Sequence, residues 1–128
     1  MSIDVLLYSA LANNSGVSAL VGTRIYPLIL PKNKPTYPAI TYQRISNTAT
    51  NGSTALRESR WQVNCWGATY TAAHGLAVAA KAALEEHKDT NQTPGIKQSY
   101  VVNEIDDYDD QTKVYRVIVD VILVTTGD

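Results

Sequence analysis

The sequence predicts an α+β fold in which a mostly antiparallel sheet, made of two hairpins and a short strand, packs with an N-terminal helix and a central alanine-rich helix. Alternating apolar and polar residues around turn signals predict the hairpins, and apolar residues at helical spacing predict the helices. Their order along the chain, α, short β, β-hairpin, α, β-hairpin, is typical of this class. With 128 residues, 45% hydrophobic and 18% charged, the chain is expected to form a single domain over residues 1–128.

The N-terminal third is predicted to contain a helix, a short helical turn and a strand. Apolar residues recur at helical spacing over residues 3–12, and Ser2 can cap the helix. Asn13 and Asn14 end it, and the short turn that follows ends at Gly22. The stretch RIYPLILPKNKPTYP holds four prolines, so it is expected to form a short strand and then a rigid extended connector.

Residues 39–49 and 56–66 are predicted to form the first hairpin. Both segments alternate in polarity, and the polar stretch between them contains an Asn-Gly pair, which strongly favours a tight turn. In the second strand Trp61 and Cys65 lie on the same face.

A central helix and a second hairpin complete the prediction. Apolar residues at helical spacing predict a helix over residues 71–88, with Thr69 or Thr71 as its cap. Its apolar face is mostly alanine, which lets a helix approach a sheet closely. Residues 96–106 and 112–125 are predicted strands, joined by the acidic turn DDYDD.

The last strand is apolar on both of its faces. In KVYRVIVDVILV one face carries Tyr115, Val117, Val119, Val121 and Leu123. The other face carries Val114, Ile118, Ile122 and Val124, interrupted by Arg116 and Asp120. A sheet that packs on one side is expected to be polar on the other. Either the two helices cover both faces, or a second copy of the chain covers part of one.

Cys65 and His74 are the residues to consider first for catalysis. Cys65 is the chain's only cysteine, and a nucleophilic cysteine needs a base within hydrogen-bond reach and a lowered thiol pKa. Cys65 is instead expected in the core, and no glycine-rich or oxyanion motif flanks either residue. The sequence therefore predicts no enzyme, and a small cysteine hydrolase using these two residues stays as an alternative.

The acidic turn and the histidines predict no metal or cofactor site. His74 and His87 lack the i, i+4 spacing of a helical metal pair, and the turn lacks the glycine and closing glutamate of a calcium loop. The turn is expected to be a solvated hairpin tip or an acidic surface that docks a partner. Its four carboxylates are Asp106, Asp107, Asp109 and Asp110.

Charge and hydropathy argue against nucleic-acid binding and against a membrane location. The formal net charge is −1, with 11 basic and 12 acidic residues, which gives no basic excess for nucleic-acid binding. No apolar run is long enough to span a membrane, and the N-terminus lacks the basic leader of a signal peptide. We therefore expect a protein used in a cytoplasm-like compartment, with no membrane partner.

Three motifs in a fixed order resemble a known family. They are an RIYP strand at Arg24–Pro27, a PAI-x-Y strand at Pro38–Tyr42 after a proline-spaced connector, and an R-x-Q-x-x-x-W strand at Arg60–Trp66, followed by an alanine-leucine helix. Over about residues 5–88 this set resembles the small tail-completion proteins of long-tailed bacteriophages and prophages, also called tail terminators or tail-to-head joining proteins. The segment 89–110 resembles the family only weakly.

The resemblance implies a structural role without catalysis or cofactors. Such subunits form a six-fold ring at the head-proximal end of the tail tube, where the ring stops tube growth and gives the neck a binding surface. The implied partners are further copies of the chain, the tail tube protein and a head-neck connector protein. The implied location is the virion tail, after assembly in the host cytoplasm. An alternative within the same setting is a neck component that binds the portal side.

The family supplies no catalytic residues, so the candidate contact residues follow from exposure and geometry. The polar segment between the first two hairpin strands could reach a neighbouring subunit or the tube, or could be an ordinary solvent loop. Arg116 and Asp120 could pair across a subunit boundary or within the chain. The candidates in the polar segment are Asn47, Thr48, Thr50, Asn51, Ser53 and Thr54.

Overall fold

The computed structural model describes residues 3–33, 35–49, 56–85, 87–88 and 95–126 of the chain. These residues form three helices and one five-stranded, mostly antiparallel sheet, which confirms the predicted α+β class. The helices are α1 (Ile3–Ala12), α2 (Ser15–Val21) and α3 (Tyr70–Leu84). The strands are β1 (Ile25–Pro27), β2 (Ala39–Ala49), β3 (Leu56–Gly67), β4 (Gly95–Asp109) and β5 (Val114–Thr126).

The sheet has the strand order β1-β2-β3-β5-β4, and its only parallel pair among the described residues is β1 with β2. The proline-rich connector returns the chain so that Ile40 N donates to the Arg24 carbonyl at 3.0 Å. The Arg24 side chain closes the same junction, because its Nε donates to the Pro38 carbonyl at 2.9 Å. Arg24 and Pro38 thus join the first two motifs of the sequence.

Short polar residues and one glycine set the ends of α2 and the start of α3. Asn14 caps α2 by accepting from Val17 N at 3.1 Å, and Gly22 ends it with a φ of +60°, a conformation that glycine adopts without a steric penalty. Thr69 caps α3 by accepting from Ala72 N at 3.1 Å. The predicted cap of α1, Ser2, lies outside the described residues. None of the described helices is long and apolar enough to cross a membrane.

All three helices pack on the same face of the sheet. The buried core joins Leu7 of α1, Val17 of α2 and Leu76 of α3 to Val63 of β3 and Val119 of β5. Consequently, the interpretation in which α1 and α3 cover opposite faces is wrong. One side of the sheet has no helical cover within the described residues, and we call it the outer face.

The alanine face of α3 approaches β3 closely at Gly67. A methyl group at Gly67 would lie 2.5 Å from the Ala73 nitrogen and 2.9 Å from its Cα, which is closer than real Cβ contacts allow. The small residues of α3 that face the sheet, such as Ala77 and Ala80, are completely buried. Glycine at position 67 is therefore required at this contact with the helix backbone.

The central helix is shorter than the sequence predicts. It ends at Leu84 rather than at residue 88, because Glu85 adopts an extended conformation. The hydroxyl of Ser99 on β4 donates to the Leu84 carbonyl at 2.5 Å, which ties the helix end to the sheet. His87, which lies inside the predicted helix of residues 71–88, follows the end of α3 instead.

The second hairpin is longer than the sequence predicts, and its turn lies further along the chain. Asp106, Asp107 and Asp109 belong to β4, and the turn occupies residues 110–113. The prediction of a DDYDD turn is therefore wrong. Cross-strand contacts explain the difference, because Asp107 lies opposite Arg116 and Tyr108 opposite Tyr115, so these polar positions gain strand partners.

Two glycine substitutions test the close approach of α3. We expect Gly67→Ala to lower the free energy of unfolding by about 1–3 kcal/mol, since backbone atoms of α3 would have to move. Gly75→Ala is the matched control: its added methyl meets nothing within 4 Å. Because glycine is unfavourable inside a helix, this control should stabilise the fold by about 0.5–1 kcal/mol. Urea unfolding followed by circular dichroism measures both, and an unchanged stability of Gly67→Ala would contradict the packing described.

Candidate functional site

The Cys65–His74 pair does not form a nucleophile and base. Cys65 is completely buried on the helix-covered face of β3, and burial raises the pKa of its thiol to about 12. His74 is exposed on α3, where its ring lies 5.7 Å from that of Tyr70. A thiol that stays protonated in the core and an imidazole in solvent cannot exchange a proton directly.

The cleft between α1 and α3 offers little chemistry. A cleft of about 260 Å³ lies between the ends of α1 and α3, and its lining has His87 as the one titratable side chain. The other lining residues are Leu6, Ser9, Ala10, Asn13, Asn14 and Ala83. Among the described residues no group of three or more His, Cys, Asp or Glu side chains is arranged to hold a metal ion.

The outer face combines apolar side chains with paired charges. The strand register places Ile105, Ile118, Asn64 and Thr41 in one row across it. Ile118 is buried, and Ile122 and Val124 of the same strand are half-buried, although no described helix crosses them. This surface is thus the second apolar face of the last strand that the sequence indicates.

Arg116 lies on the outer face and has partners within the chain. Its guanidinium donates to the Asp107 carboxylate and lies 5.1 Å from the ring centroid of Trp66, whose Nε1 donates to Thr41 Oγ1 at 3.0 Å. The hydrogen bond from Arg116 holds the pKa of Asp107 below its usual value.

Asp120, the other charged residue of the last strand, is also paired within the chain. Its carboxylate accepts from Arg60 at 2.8 Å on the neighbouring strand. Each candidate therefore has an intrachain partner, Asp107 for Arg116 and Arg60 for Asp120. Their contribution to a subunit boundary stays a prediction.

The four acidic candidates lie on different sides of the β4–β5 hairpin. Asp106 faces the helices and accepts from the Tyr70 hydroxyl at 3.0 Å, a hydrogen bond that raises the pKa of Tyr70. Asp107 faces the outer side, and Asp109 ends β4 with a pKa lowered by hydrogen bonds from the Thr112 hydroxyl and the Gln111 amide. Asp110 is exposed in the turn. The four carboxylates therefore point in different directions along β4 and the turn after it. Docking of a partner by these residues stays a prediction.

The polar segment of the first hairpin is described only at its base. Asn47 pairs with Ser59 and Thr48 with Glu58 across β2 and β3, and Asn47 accepts from the Arg57 side chain. The other four candidates lie outside the described residues: Thr50, Asn51, Ser53 and Thr54. Their role at a subunit or tube contact stays a prediction.

Sequence reasoning missed two exposed apolar residues just after β1. Leu28 and Ile29 are 64% and 65% exposed, and Leu28 has a φ of +66°, which is uncommon for a residue with a branched side chain. The backbone is held there by a hydrogen bond from Leu28 N to the Tyr42 carbonyl at 2.9 Å. Two large apolar residues inside a proline-rich connector were the available signal, because such a connector buries little.

Comparisons with known proteins find a matching family model and a solved structure of similar fold. A family model described as Tail completion protein gp17 matches residues 5–126. The match includes segment 89–110, where the resemblance read from the motifs was weak. No curated protein sequence matches the chain.

A chain from the virion of the native gene transfer agent (GTA) particle has a similar structure, with a TM-score of 0.73 and 15% sequence identity. The similarity covers 94% of this chain and 92% of that one. At this identity, the similarity shows a shared fold.

Thiol labelling tests whether Cys65 is reactive. At pH 8 we expect a disulfide reagent to label the native protein more than about 100-fold more slowly than the protein in urea, because burial keeps the thiol protonated and inaccessible. His74→Ala is the control and should leave the native rate unchanged. Rapid native labelling that depends on His74 would contradict this assignment and support the hydrolase alternative.

Proposed function

The chain belongs to the Tail completion protein gp17 family and is a structural component of a phage-type tail; from this premise we propose that its copies form a ring at the head-proximal end of the tail tube. In this proposal the ring has six subunits, stops tube growth and gives the head-neck connector protein a surface to bind. Assembly takes place in the host cytoplasm, and neither catalysis nor a cofactor is involved. The fold shared with a chain of a virion supports the assignment.

The outer face of the sheet is the observation that carries the proposal. β5 contributes Ile118, Ile122 and Val124 to a face that no described helix covers. Apolar side chains on the open side of a sheet are typical of surfaces that become buried in an assembly. A subunit at a tube end needs such a surface, because it must contact other copies and the tube.

A neck component on the portal side is the competing proposal, and the partner distinguishes the two. A tail terminator binds the tail tube protein, whereas a neck component on the portal side binds head proteins and leaves the tube protein free. The cysteine hydrolase has no support in the geometry, since Cys65 is buried and His74 is exposed.

The mass of the protein in solution tests the ring. The monomer is 14.0 kDa, so a closed ring of six copies should have a mass of about 84 kDa. We expect light scattering to approach this mass as the concentration rises, alone or on addition of the tail tube protein. A mass of one subunit under both conditions would contradict the ring, and binding to head proteins alone would favour the neck component.

A substitution on the outer face tests whether that surface is used in the tail. We expect Ile122→Glu to reduce co-sedimentation with tail tubes by more than about tenfold, because a carboxylate would be buried at the contact. Arg60, which lies opposite Ile122 in the register, can pair with the new carboxylate in the free subunit, so the fold should be retained.

Val78→Glu is the matched control for this test. Val78 is 51% exposed on α3, on the helical side of the molecule, so the same change of residue type there should leave co-sedimentation unchanged. Equal binding by Ile122→Glu and the unsubstituted protein would contradict a role for the outer face.

A further inference from the structure

The charges of this chain are segregated along the sequence. Residues 5–57 contain no Asp or Glu but five basic residues. These are Arg24, Lys32, Lys34, Arg44 and Arg57. By contrast, the seven residues 104–110 contain five carboxylates. A net charge of −1 conceals this separation.

The strand order turns this separation into two oppositely charged edges. The basic segment supplies β1 and β2, which lie at one side of the sheet, and the connector between these two strands, whereas its last basic residue, Arg57, lies on the central strand β3. The acidic segment lies in β4 and the turn after it, at the other side. We call these the basic edge and the acidic edge. β3 and β5 lie between the edge strands β2 and β4, which keeps these two strands of one copy apart. The connector comes near the acidic edge at one end, because burial and then the charge of Asp109 raise the pKa of Tyr37.

Part of each edge keeps its charge unneutralised within the subunit. The described ion pairs are Arg60–Asp120, Lys81–Glu104 and Arg116–Asp107. In the part of the chain that the structure describes, these pairs leave Lys32 and Arg44 on the basic edge, and Asp106 and Asp110 on the acidic edge, without an ion-pair partner. All four of these side chains are exposed.

Exposed apolar side chains lie at the same two edges. Six of the ten exposed large hydrophobic residues in the described part of the chain belong to them. The basic edge carries Leu28, Ile29 and Ile45, and the acidic edge carries Val102, Ile105 and Tyr108. Apolar residues beside complementary charges are the composition expected of a protein contact surface.

Both edges also present strand backbone to the outside. Among the described strands β4 pairs only with β5, so its other side has no strand partner, and one backbone group, Val101 N, donates to Glu85 Oε1 at 3.5 Å. β1 pairs with β2 only as far as Tyr42, which leaves β2 as the edge strand from Gln43 onwards. Register shifts in both strands and the charges they carry oppose pairing through the backbone, so the edges are expected to meet through their side chains.

We propose that the acidic edge of one copy docks on the basic edge of the next copy. The contact is heterologous, since two different surfaces of the same chain meet, and repetition of such a contact around an axis closes a ring. The inference rests on the ring proposed above and identifies the surfaces through which neighbouring subunits meet. The outer face is then left for the tail tube or the neck.

A charge-swap experiment tests this pairing. One variant carries Lys32→Glu with Arg44→Glu, and the other carries Asp106→Lys with Asp110→Lys. Either variant alone places like charges at every contact, so we expect self-association at low salt to weaken by more than about tenfold. Mixed in equal amounts, the two variants should assemble again, because each reversed edge meets a complementary edge in an alternating ring.

Sedimentation velocity is the measurement, and circular dichroism confirms that each variant is folded. Val78→Glu is the control, because it adds a carboxylate at an exposed residue of α3, and its self-association should match that of the unsubstituted protein. Added salt should weaken association of the unsubstituted protein, since the pairing is partly electrostatic.

The outcomes separate a failure of the edges from a failure of the ring. Full assembly by each variant alone would overturn the edge pairing and leave the ring intact. Two variants that dissociate alone and do not assemble on mixing would also overturn the edge pairing and leave the ring intact. An unsubstituted protein that stays monomeric at low salt and high concentration, both alone and with the tail tube protein, would overturn the ring and the edge pairing together. Restored assembly in the mixture supports both.

Discussion

The contact between the alanine face of α3 and the central strands determines how the rest of the chain is arranged. The backbone of the first turn of α3 contacts Gly67 of β3, and the small residues of the helix pack against the sheet. Side chains of α1 and α2, such as Leu7 and Val17, complete the same buried layer. The five strands are consequently covered on one side only, and the outer face and both edges are exposed by the same arrangement.

The uncovered surfaces must remain compatible with water before assembly. On the outer face this is achieved by ion pairs between neighbouring strands, Arg60 with Asp120 and Arg116 with Asp107, placed among the apolar residues of β5. Exposed ion pairs contribute little to stability, but charges on a sheet surface oppose indiscriminate pairing of sheets and strands. The charged residues that interrupt the last strand are therefore better explained by a surface that binds selected partners than by an imperfectly packed core.

The sequence predicted the structure correctly where one apolar periodicity dominated a segment. It did not do so where contacts between distant segments determine the end of an element or the partner of a side chain. The class, all the strands and α1 follow from local patterns, and the burial of Cys65 follows from strand alternation. The end of α3 could not be predicted, because a hydrogen bond from Ser99 on a distant strand fixes it. Nor could the intrachain partners of Arg116 and Asp120, since they depend on strand order. The exposed Leu28 and Ile29 carry no periodicity at all.

A subunit at the end of a tube must meet its neighbours around the axis and other proteins along it. A sheet covered on one side offers two kinds of surface for these contacts. Its edges face outward within the plane of the strands, and its open face points out of that plane. Assigning neighbours to the edges and the tube or neck to the face lets all contacts form at once. The segregated charges agree with this division: a ring needs two different complementary surfaces on each copy, and the strand order places the basic and acidic segments at opposite edges. The chain can therefore supply lateral and axial contacts from one small sheet.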